Sequence, residues 1–339
     1  MAVIKAQPEV FVDQYLFPLV ERKLITPLLV TRVADDKFIG AQNQQVNFKL
    51  GELRTRARRQ EFRTRSRPIV MDDIEGGDSI PVFLNTHTYT STGLTLEHLT
   101  LDNIKFTQEV INPQTRAIAD QLEEDVAFAF ANMRFKYELP YVEGETDPYE
   151  LGIDAGELLD RHDVPDDGNR FWLVGSRVWA AIAKSKRFTT VDKAGEGRLV
   201  AAISRAEVGE IAGWRIVKSR AVAPNASWFM HKSLLVLGNV APVVPEGAKI
   251  GRRYTQDNWD MTWIQDYDGN FQRDRSTIQT FTGLTPIYDE RVGGEGRDRH
   301  DLKKFDNPLD MKSVRAVKVN FTPAAGQILD DLATDTVGA

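Results

Sequence analysis

The chain has 339 residues, of which 42% are hydrophobic and 27% charged, a mix typical of a globular protein with a sizeable core. It contains no cysteine, which excludes disulfide bonds, thiolate metal sites and thiol catalysis. The net charge of −6 argues against a dedicated nucleic-acid binder, and the lack of a signal-like N-terminus or a bilayer-length apolar run predicts a soluble protein without a membrane role.

The most unusual stretch is residues 54–67, hereafter the arginine segment. It has a charge of +6 because only Glu61 opposes seven arginines, which leaves −12 for the rest of the chain. The seven are Arg54, Arg56, Arg58, Arg59, Arg63, Arg65 and Arg67. Spacing by two is typical of one face of a strand, and β-forming stretches lie on both sides. The sequence therefore predicts a long two-stranded excursion over residues 45–95.

An isolated two-stranded ribbon is only marginally stable in water, so this excursion needs a surface to lie on. One interpretation is a solvated arginine face or a nucleic-acid patch. The other is an arm that docks on a neighbouring subunit through arginine–carboxylate pairs. The sequence leaves both open.

The clearest helix follows, with Asn112 as its N-cap and Pro113 in the first turn. Apolar residues recur at a spacing of three to four as far as about Tyr137, and acidic residues fill the N-terminal half, which suits the helix dipole. Phe128 and Phe135 lie off the main apolar stripe. The pattern predicts a long helix that is covered on more than one side.

Residues 141–245 predict a compact α/β lobe. Its parts are a loop-rich acidic stretch at 140–168, a buried strand at 171–174, a helix at 177–186 capped by Ser176, a strand at 211–217, and strands at 228–231 and 234–237.

Residues 250–292 return to β-structure. Trp259, Met261 and Trp263 alternate with polar residues, and Asp268–Gly269 is a strong hairpin signal. From residue 293 the chain is rich in glycine and charge, with one further candidate strand at 314–321 and then an acidic tail.

The search for catalytic chemistry finds no recognisable site. The five histidines (His87, His98, His162, His231 and His300) have no metal-ligand spacing. Residues 266–270 resemble the start of a calcium loop, but the sixth-position glycine and the closing glutamate are missing. We therefore predict no cofactor, no metal and no enzymatic activity, with an enzyme whose site is assembled from distant residues as the least favoured alternative.

Three segments together resemble the major capsid proteins of tailed bacteriophages, the Hong Kong ninety-seven coat fold (HK-fold). They are the acidic-to-apolar helix at 117–125, the strand and tryptophan-bearing helix at 171–186, and Glu207–Arg220 with its glycine, isoleucine, glycine and aromatic pattern. The resemblance covers roughly residues 10–292. It implies an α+β fold with an N-terminal arm, an extended β-hairpin loop, a peripheral lobe with a long spine helix and an axial α/β lobe.

The implied division of the chain has five parts. These are an N-terminal arm at 1–44, the extended loop at 45–95, a peripheral domain at 96–140 and 246–292, an axial domain at 141–245, and a C-terminal extension at 293–339. Some members of the family crosslink through a lysine in the extended loop, but no lysine lies between Leu50 and Leu101. Non-covalent contacts are therefore expected to hold the subunits together.

The resemblance implies a structural protein that self-assembles as pentamers and hexamers into an icosahedral shell around double-stranded DNA. The implied partners are further copies of the chain, a scaffolding protein, a portal and a decoration protein, in a virion built in the host cytoplasm. Expected intersubunit contacts are the seven arginines with Asp120, Glu123 and Glu124 of the long helix. An encapsulin-like nanocompartment shell and a basic-hairpin nucleic-acid binder stay as alternatives.

Overall fold

The computed structural model describes eight stretches of the chain: residues 25–33, 45–49, 79–94, 107–185, 209–248, 250–256, 259–289 and 310–324. The arginine segment, most of the expected N-terminal arm and residues 293–309 lie outside these stretches.

The described residues form three α-helices and fourteen strands. The helices are α1 (Asn112–Asn132), α2 (Pro148–Asp160) and α3 (Ser176–Lys184). The strands are β1 (Thr31–Val33), β2 (Gln45–Lys49), β3 (Ser79–Phe83), β4 (Thr86–Leu94), β5 (Phe135–Val142), β6 (Arg170–Val174), β7 (Glu210–Ile211), β8 (Trp214–Lys218), β9 (Ala226–His231), β10 (Leu235–Val240), β11 (Ile250–Gln256), β12 (Trp259–Asp268), β13 (Arg273–Pro286) and β14 (Ser313–Thr322). Short helical turns at Thr26–Leu29, Thr107–Ile111 and Lys232–Leu234 join them.

Two six-stranded sheets organise these elements. The first has the order β1-β10-β13-β12-β11, and β4 pairs with the other side of β13. The second has the order β5-β14-β9-β6-β8-β7. A separate hairpin of β2 and β3 forms the base of the predicted extended loop. The expected mixed α+β class is confirmed, and the division into an axial and a peripheral lobe stays a prediction.

Strand β6 shows how the second sheet serves two cores. Successive side chains of a strand point to opposite faces. Phe171 and Leu173 therefore join the core that contains α1, whereas Trp172 and Val174 join the core beneath α2 and α3. Trp172 stacks on Phe229 with ring centroids 4.3 Å apart, and its indole nitrogen donates to Ser227. The two cores share this sheet as a common wall.

The long helix differs at both ends from its prediction. A π-helical turn runs into α1, so Asn112 is inside helical backbone and is not its N-cap. The helix ends at Asn132, and Met133 is extended. Phe135 begins an edge strand that pairs with β14, which explains why Pro140 is tolerated there. Bulky residues alternate with period two after Met133, which is typical of a strand. The predicted helix had included those as far as Tyr137.

Helix α3 begins without the predicted cap. Ser176 makes no capping hydrogen bond, and Gly175 is the N-cap residue. The amides of Arg177 and Val178 instead donate to the carbonyl of Pro224, at 3.1 and 3.3 Å. A Cβ at Gly175 would stand 2.2 Å from the carbonyl oxygen of Ala223. Close approach of the 223–224 backbone satisfies this helix end and requires glycine there.

The predicted strand at 211–217 is a hairpin of β7 and β8. Ala212 and Gly213 have φ of 49° and 81°, as a tight hairpin turn requires. The β-forming stretch after the arginine segment is divided between two strands, because β3 pairs with β2 whereas β4 pairs with β13. The chain crosses β13 between them, where a Cβ on Gly283 would stand 1.8 Å from the carbonyl oxygen of Phe83.

Other predicted elements are confirmed. The strand at 171–174 is β6, and the Asp268–Gly269 hairpin joins β12 to β13. The candidate strand at 314–321 is β14, which lies inside the second sheet between β5 and β9. Strand β10 lies in the first sheet, although β9 directly before it lies in the second. Long-range pairing therefore joins stretches that the expected domain bounds separate.

Candidate functional site

The exposed side of α1 carries part of the predicted contact set. Asp120 and Glu124 are exposed, and Asp125 is half-buried and accepts a hydrogen bond from Gln121. Phe128 lies at the same surface with 72% of its side chain accessible. A single exposed apolar residue is common on protein surfaces, so Phe128 by itself does not mark an interface.

Glu123 has an internal role instead. It is 8% exposed, and its carboxylate accepts from the backbone amide of Thr26 at 2.9 Å and from the Thr26 hydroxyl at 2.7 Å. The Ser219 hydroxyl donates at 3.3 Å, and the amide of Ile25 also donates. The carboxylate therefore has no face left for another subunit. This places Glu123 outside the predicted intersubunit set, because the helix turns it towards the chain's own N-terminal segment.

The segment that Glu123 holds continues into the first sheet. After the turn at Thr26–Leu29, β1 pairs in parallel with β10. The Arg32 guanidinium lies 5.0 Å from the ring centroid of Trp259. We call the group formed by Glu123, Thr26 and Ser219 the N-terminal anchor. It fixes residues 25 and 26 against α1.

The arginine segment lies outside the described residues, so the structure places only the acidic side of the expected contact.

A larger acidic surface lies on and around α2, in the stretch predicted as loop-rich. Residues 143–170 contain ten carboxylates and two arginines, a net charge of −8. The helix forms there because Asp147 caps it, accepting from the amide of Tyr149 at 3.0 Å, and Pro148 follows at the first position. Leu151, Ala155 and Leu159 are buried at helical spacing. These signals were available in the sequence.

Helix α2 leaves a cleft against the β7–β8 hairpin. The cleft has a volume of about 380 Å³ and is lined by Ile153, Gly156, Glu157, Asp166 and Trp214, among others. The indole of Trp214 donates to the carbonyl of Gly152 at 2.8 Å, which holds the hairpin to the helix.

Arg170 closes the inner end of this cleft. It is buried, and it donates to Asp160 at 2.5 Å and to the carbonyl oxygens of Val164 and Pro165 at 2.6 and 3.1 Å. Asp160 therefore neutralises the charge of Arg170. The remaining charged residues that line the cleft, Glu157 and Asp166, are acidic.

A hydrogen-bonded chain joins the two sheets where β9 passes to β10. His231 Nδ1 accepts from the amide of Ser233 at 3.2 Å, so the proton sits on Nε2, which donates to Asp167 at 3.0 Å. Arg315 donates to the Ser233 hydroxyl at 2.5 Å and to Asp289 at 2.6 Å. We call these five residues the sheet junction.

Two ionisable groups of the sheet junction are perturbed. Burial lowers the pKa of His231 below its usual value, although the hydrogen bond to Asp167 acts in the opposite direction. The side-chain hydrogen bond from Asn169 lowers the pKa of Asp167 to about 2, with a smaller contribution from His231, and burial acts in the opposite direction. At neutral pH the sheet junction therefore contains the neutral imidazole of His231 beside the ionised carboxylate of Asp167.

The described residues contain no group of three or more histidine, aspartate or glutamate side chains arranged to hold a metal ion. Among the same residues, no helix is long and apolar enough to span a bilayer.

Comparison with known proteins finds similarity to solved structures but none to family models or curated sequences. No family model matches the chain, and no curated protein matches it. A solved chain from Mycobacterium phage Che8 superposes with a TM-score of 0.57 at 14% identity, over 88% of this chain and 91% of that one. A chain of the bacteriophage PhiM1 mature capsid gives 0.52 at 14% identity, over 88% and 87%.

The head structure of Helicobacter pylori bacteriophage KHP40 gives a TM-score of 0.51 at 9% identity, over 86% of each chain. This chain has the fold of bacteriophage capsid proteins. The likeness extends over nearly the whole length of each chain, which confirms the resemblance drawn from the three sequence segments.

Proposed function

We propose that the chain is the major capsid protein of a tailed bacteriophage. It self-assembles as pentamers and hexamers into an icosahedral shell that encloses double-stranded DNA. The observation that carries this proposal is the capsid fold over nearly the full length of the chain. A shell needs surfaces that close by symmetry and needs no catalytic step, which fits a structural role.

The proposed shell has a rigid body and variable arms. The two sheets and their shared cores supply the body. The N-terminal arm and the extended loop supply contacts that adapt between pentamers and hexamers. The N-terminal anchor suits this division, because it fixes the arm's origin inside the body through buried hydrogen bonds. The peripheral, axial and C-terminal bounds drawn from the sequence belong to this proposal.

The arginine segment supplies intersubunit contacts in this proposal. The segment contains seven arginines and one acidic residue, so most of the carboxylate partners come from elsewhere in the shell. An acidic surface of a neighbouring subunit is the expected partner, with Asp120 and Glu124 of α1 as one candidate and the adjoining α/β lobe as the other. Arginine is suited to this role because its guanidinium binds carboxylates in a bidentate fork.

The packaged DNA is enclosed without specific binding. Outside the arginine segment the chain carries a charge of −12, which repels phosphate. Scaffolding, portal and decoration proteins are the other proposed partners, and the proposed location is the virion capsid after assembly in the host cytoplasm.

Negative-stain electron microscopy of the purified chain tests the proposal. The chain is expressed alone and together with the genes that neighbour its own. Closed shells, elongated tubes or rings of five or six subunits are the expected result. A uniform monomer or dimer under every condition would contradict a shell function. DNA binding with a steep salt dependence in that small species would then favour the basic-hairpin alternative.

A further inference from the structure

We propose that the exposed face of α2 is the surface that receives the arginine segment of a second copy of this chain. This rests on the proposed shell function and names the partner surface within it. The face comprises Tyr149, Glu150, Ile153, Asp154 and Glu157, and is called the α2 face.

The α2 face combines apolar and acidic groups. Tyr149 and Ile153 are 40% and 50% exposed, one helical turn apart. Glu150, Asp154 and Glu157 are exposed beside them. At 100° per residue these five side chains span an arc of about 140°, opposite the buried Leu151 and Ala155. Arginine fits such a surface, because its stem packs on apolar groups while its guanidinium pairs with carboxylates.

Part of this acidic charge is left for a partner. Glu157 pairs with Arg161, and Asp160 with the buried Arg170. Within the part of the chain that the structure describes, no ion pair involves Glu150 or Asp154.

The expected spacing of the arginines along a strand is close to the spacing of the carboxylates along α2. Arginines at alternate strand positions lie about 6.7 Å apart. Glu150 and Asp154, four residues apart on a helix, lie about 6 Å apart along its axis. A strand laid along α2 therefore presents one arginine to each helical turn, and the cleft beside Trp214 can take one arginine stem.

The charge on α1 is smaller. The exposed or half-buried acids of α1 are Asp120, Glu124 and Asp125, and Arg116 is exposed on the same helix, for a net charge of −2. On the same count α2 carries the exposed acids Glu150, Asp154, Glu157 and Asp160 and no basic residue, for a net charge of −4. A single exposed ion pair contributes only about 0–1 kcal/mol, so the surface that offers several pairs at once binds more strongly. The comparison favours the α2 face for a segment of charge +6.

A charge-swap experiment in the full chain tests the proposal. Three arginines are reversed together (R58E, R63E and R65E), and shell yield is measured by sedimentation and electron microscopy. Two rescue sets are then added separately: E150K, D154K and E157K on α2, and the matched set D120K, E124K and D125K on α1.

We expect the arginine reversal to lower shell yield about tenfold or more, and the α2 set to restore it to within about threefold of wild type, as exchanged charges re-form attractive pairs. The α1 set is expected to leave the yield low. Circular dichroism of each variant shows that the chain still folds.

The outcomes separate this inference from the function on which it rests. Rescue by the α1 set, or by neither set, overturns the α2 face while shells from the wild-type chain still support the capsid function. Absence of shells from the wild-type chain contradicts the function itself. If the α2 set lowers the melting temperature of unassembled chain and the arginine reversal restores it, docking is within one chain and the second-copy proposal is overturned.

Discussion

Helices α1 and α2 carry acidic residues in opposite ways. In α1 the carboxylate of Glu123 is buried and accepts from donors nearly a hundred residues away in the sequence. In α2 the carboxylates of Glu150 and Asp154 are exposed, with no ion pair to a described residue. The same residue type therefore stabilises the subunit in one helix and is available for recognition in the other, and burial decides which.

The sharpest test of this contrast is removal of the buried carboxylate. Glu123→Ala leaves the amides of Ile25 and Thr26 and the Ser219 hydroxyl without their carboxylate acceptor. Because buried donors without partners are costly, we expect the free energy of unfolding to fall by about 2–4 kcal/mol. Urea denaturation of unassembled chain measures it, with Glu124→Ala, exposed on the same helix, as the matched control.

Equal effects of the two alanine variants would show that Glu123 does not act as an anchor. A double-mutant cycle with Thr26→Val sharpens the assignment, because the coupling energy between Glu123 and Thr26 should exceed that between Glu124 and Thr26.

A smaller effect is expected at the sheet junction, where charge depends on pH. Burial lowers the pKa of His231 in the folded chain below its usual 6.5. Folding therefore opposes protonation, and stability is lost as pH falls from about 6.5 towards the folded-state value. Protonation also removes the acceptor at Nδ1 that the Ser233 amide uses. The charged groups facing the ring are Asp167, Arg170 and Arg315.

Thermal melting between pH 7.5 and pH 5 measures this dependence. We expect the wild-type melting temperature to fall with acidification more than that of His231→Gln, which has no titrating ring. Parallel curves for the two proteins would contradict the prediction. A further loss attributable to Asp167 belongs to a lower window, between its usual value of 3.8 and about 2.

The smallest effect is expected on α2. Asp154→Asn removes an exposed charge without a described ion-pair partner, so the free energy of unfolding should change by less than about 0.5 kcal/mol. Urea denaturation measures this in unassembled chain. A loss of 2 kcal/mol or more would place Asp154 in an internal role and would remove the contrast between the helices.

Local chemistry was enough to predict several elements. The run of apolar residues in β6 predicts a buried strand wherever it pairs. Asp268–Gly269 predicts a hairpin because this pair favours tight turns, although the loop spans residues 269–272 and Gln272 is the residue with positive φ. The apolar stripe of α1, with Ile118, Leu122 and Val126, predicts a buried face. Each signal depends on neighbours in the sequence alone.

Other features depended on partners far along the chain. Glu123 and Glu124 are adjacent and chemically identical, and Thr26 and Ser219 supply the donors that the buried carboxylate of Glu123 requires. A helical wheel places Glu123 beside the stripe of Leu122 and Val126, so part of this signal was available.

The sequence by itself determined the composition, the charge contrast between the arginine segment and the rest, and most of the elements, because these follow from residue types and short-range spacing. Tertiary structure decided which strands share a sheet, since β10 and β14 pair with strands distant in sequence. It also ended α1 at Asn132, because pairing with β14 makes the following residues a strand. Long-range pairing selects among local alternatives of similar free energy, and that selection cannot be read from neighbouring residues.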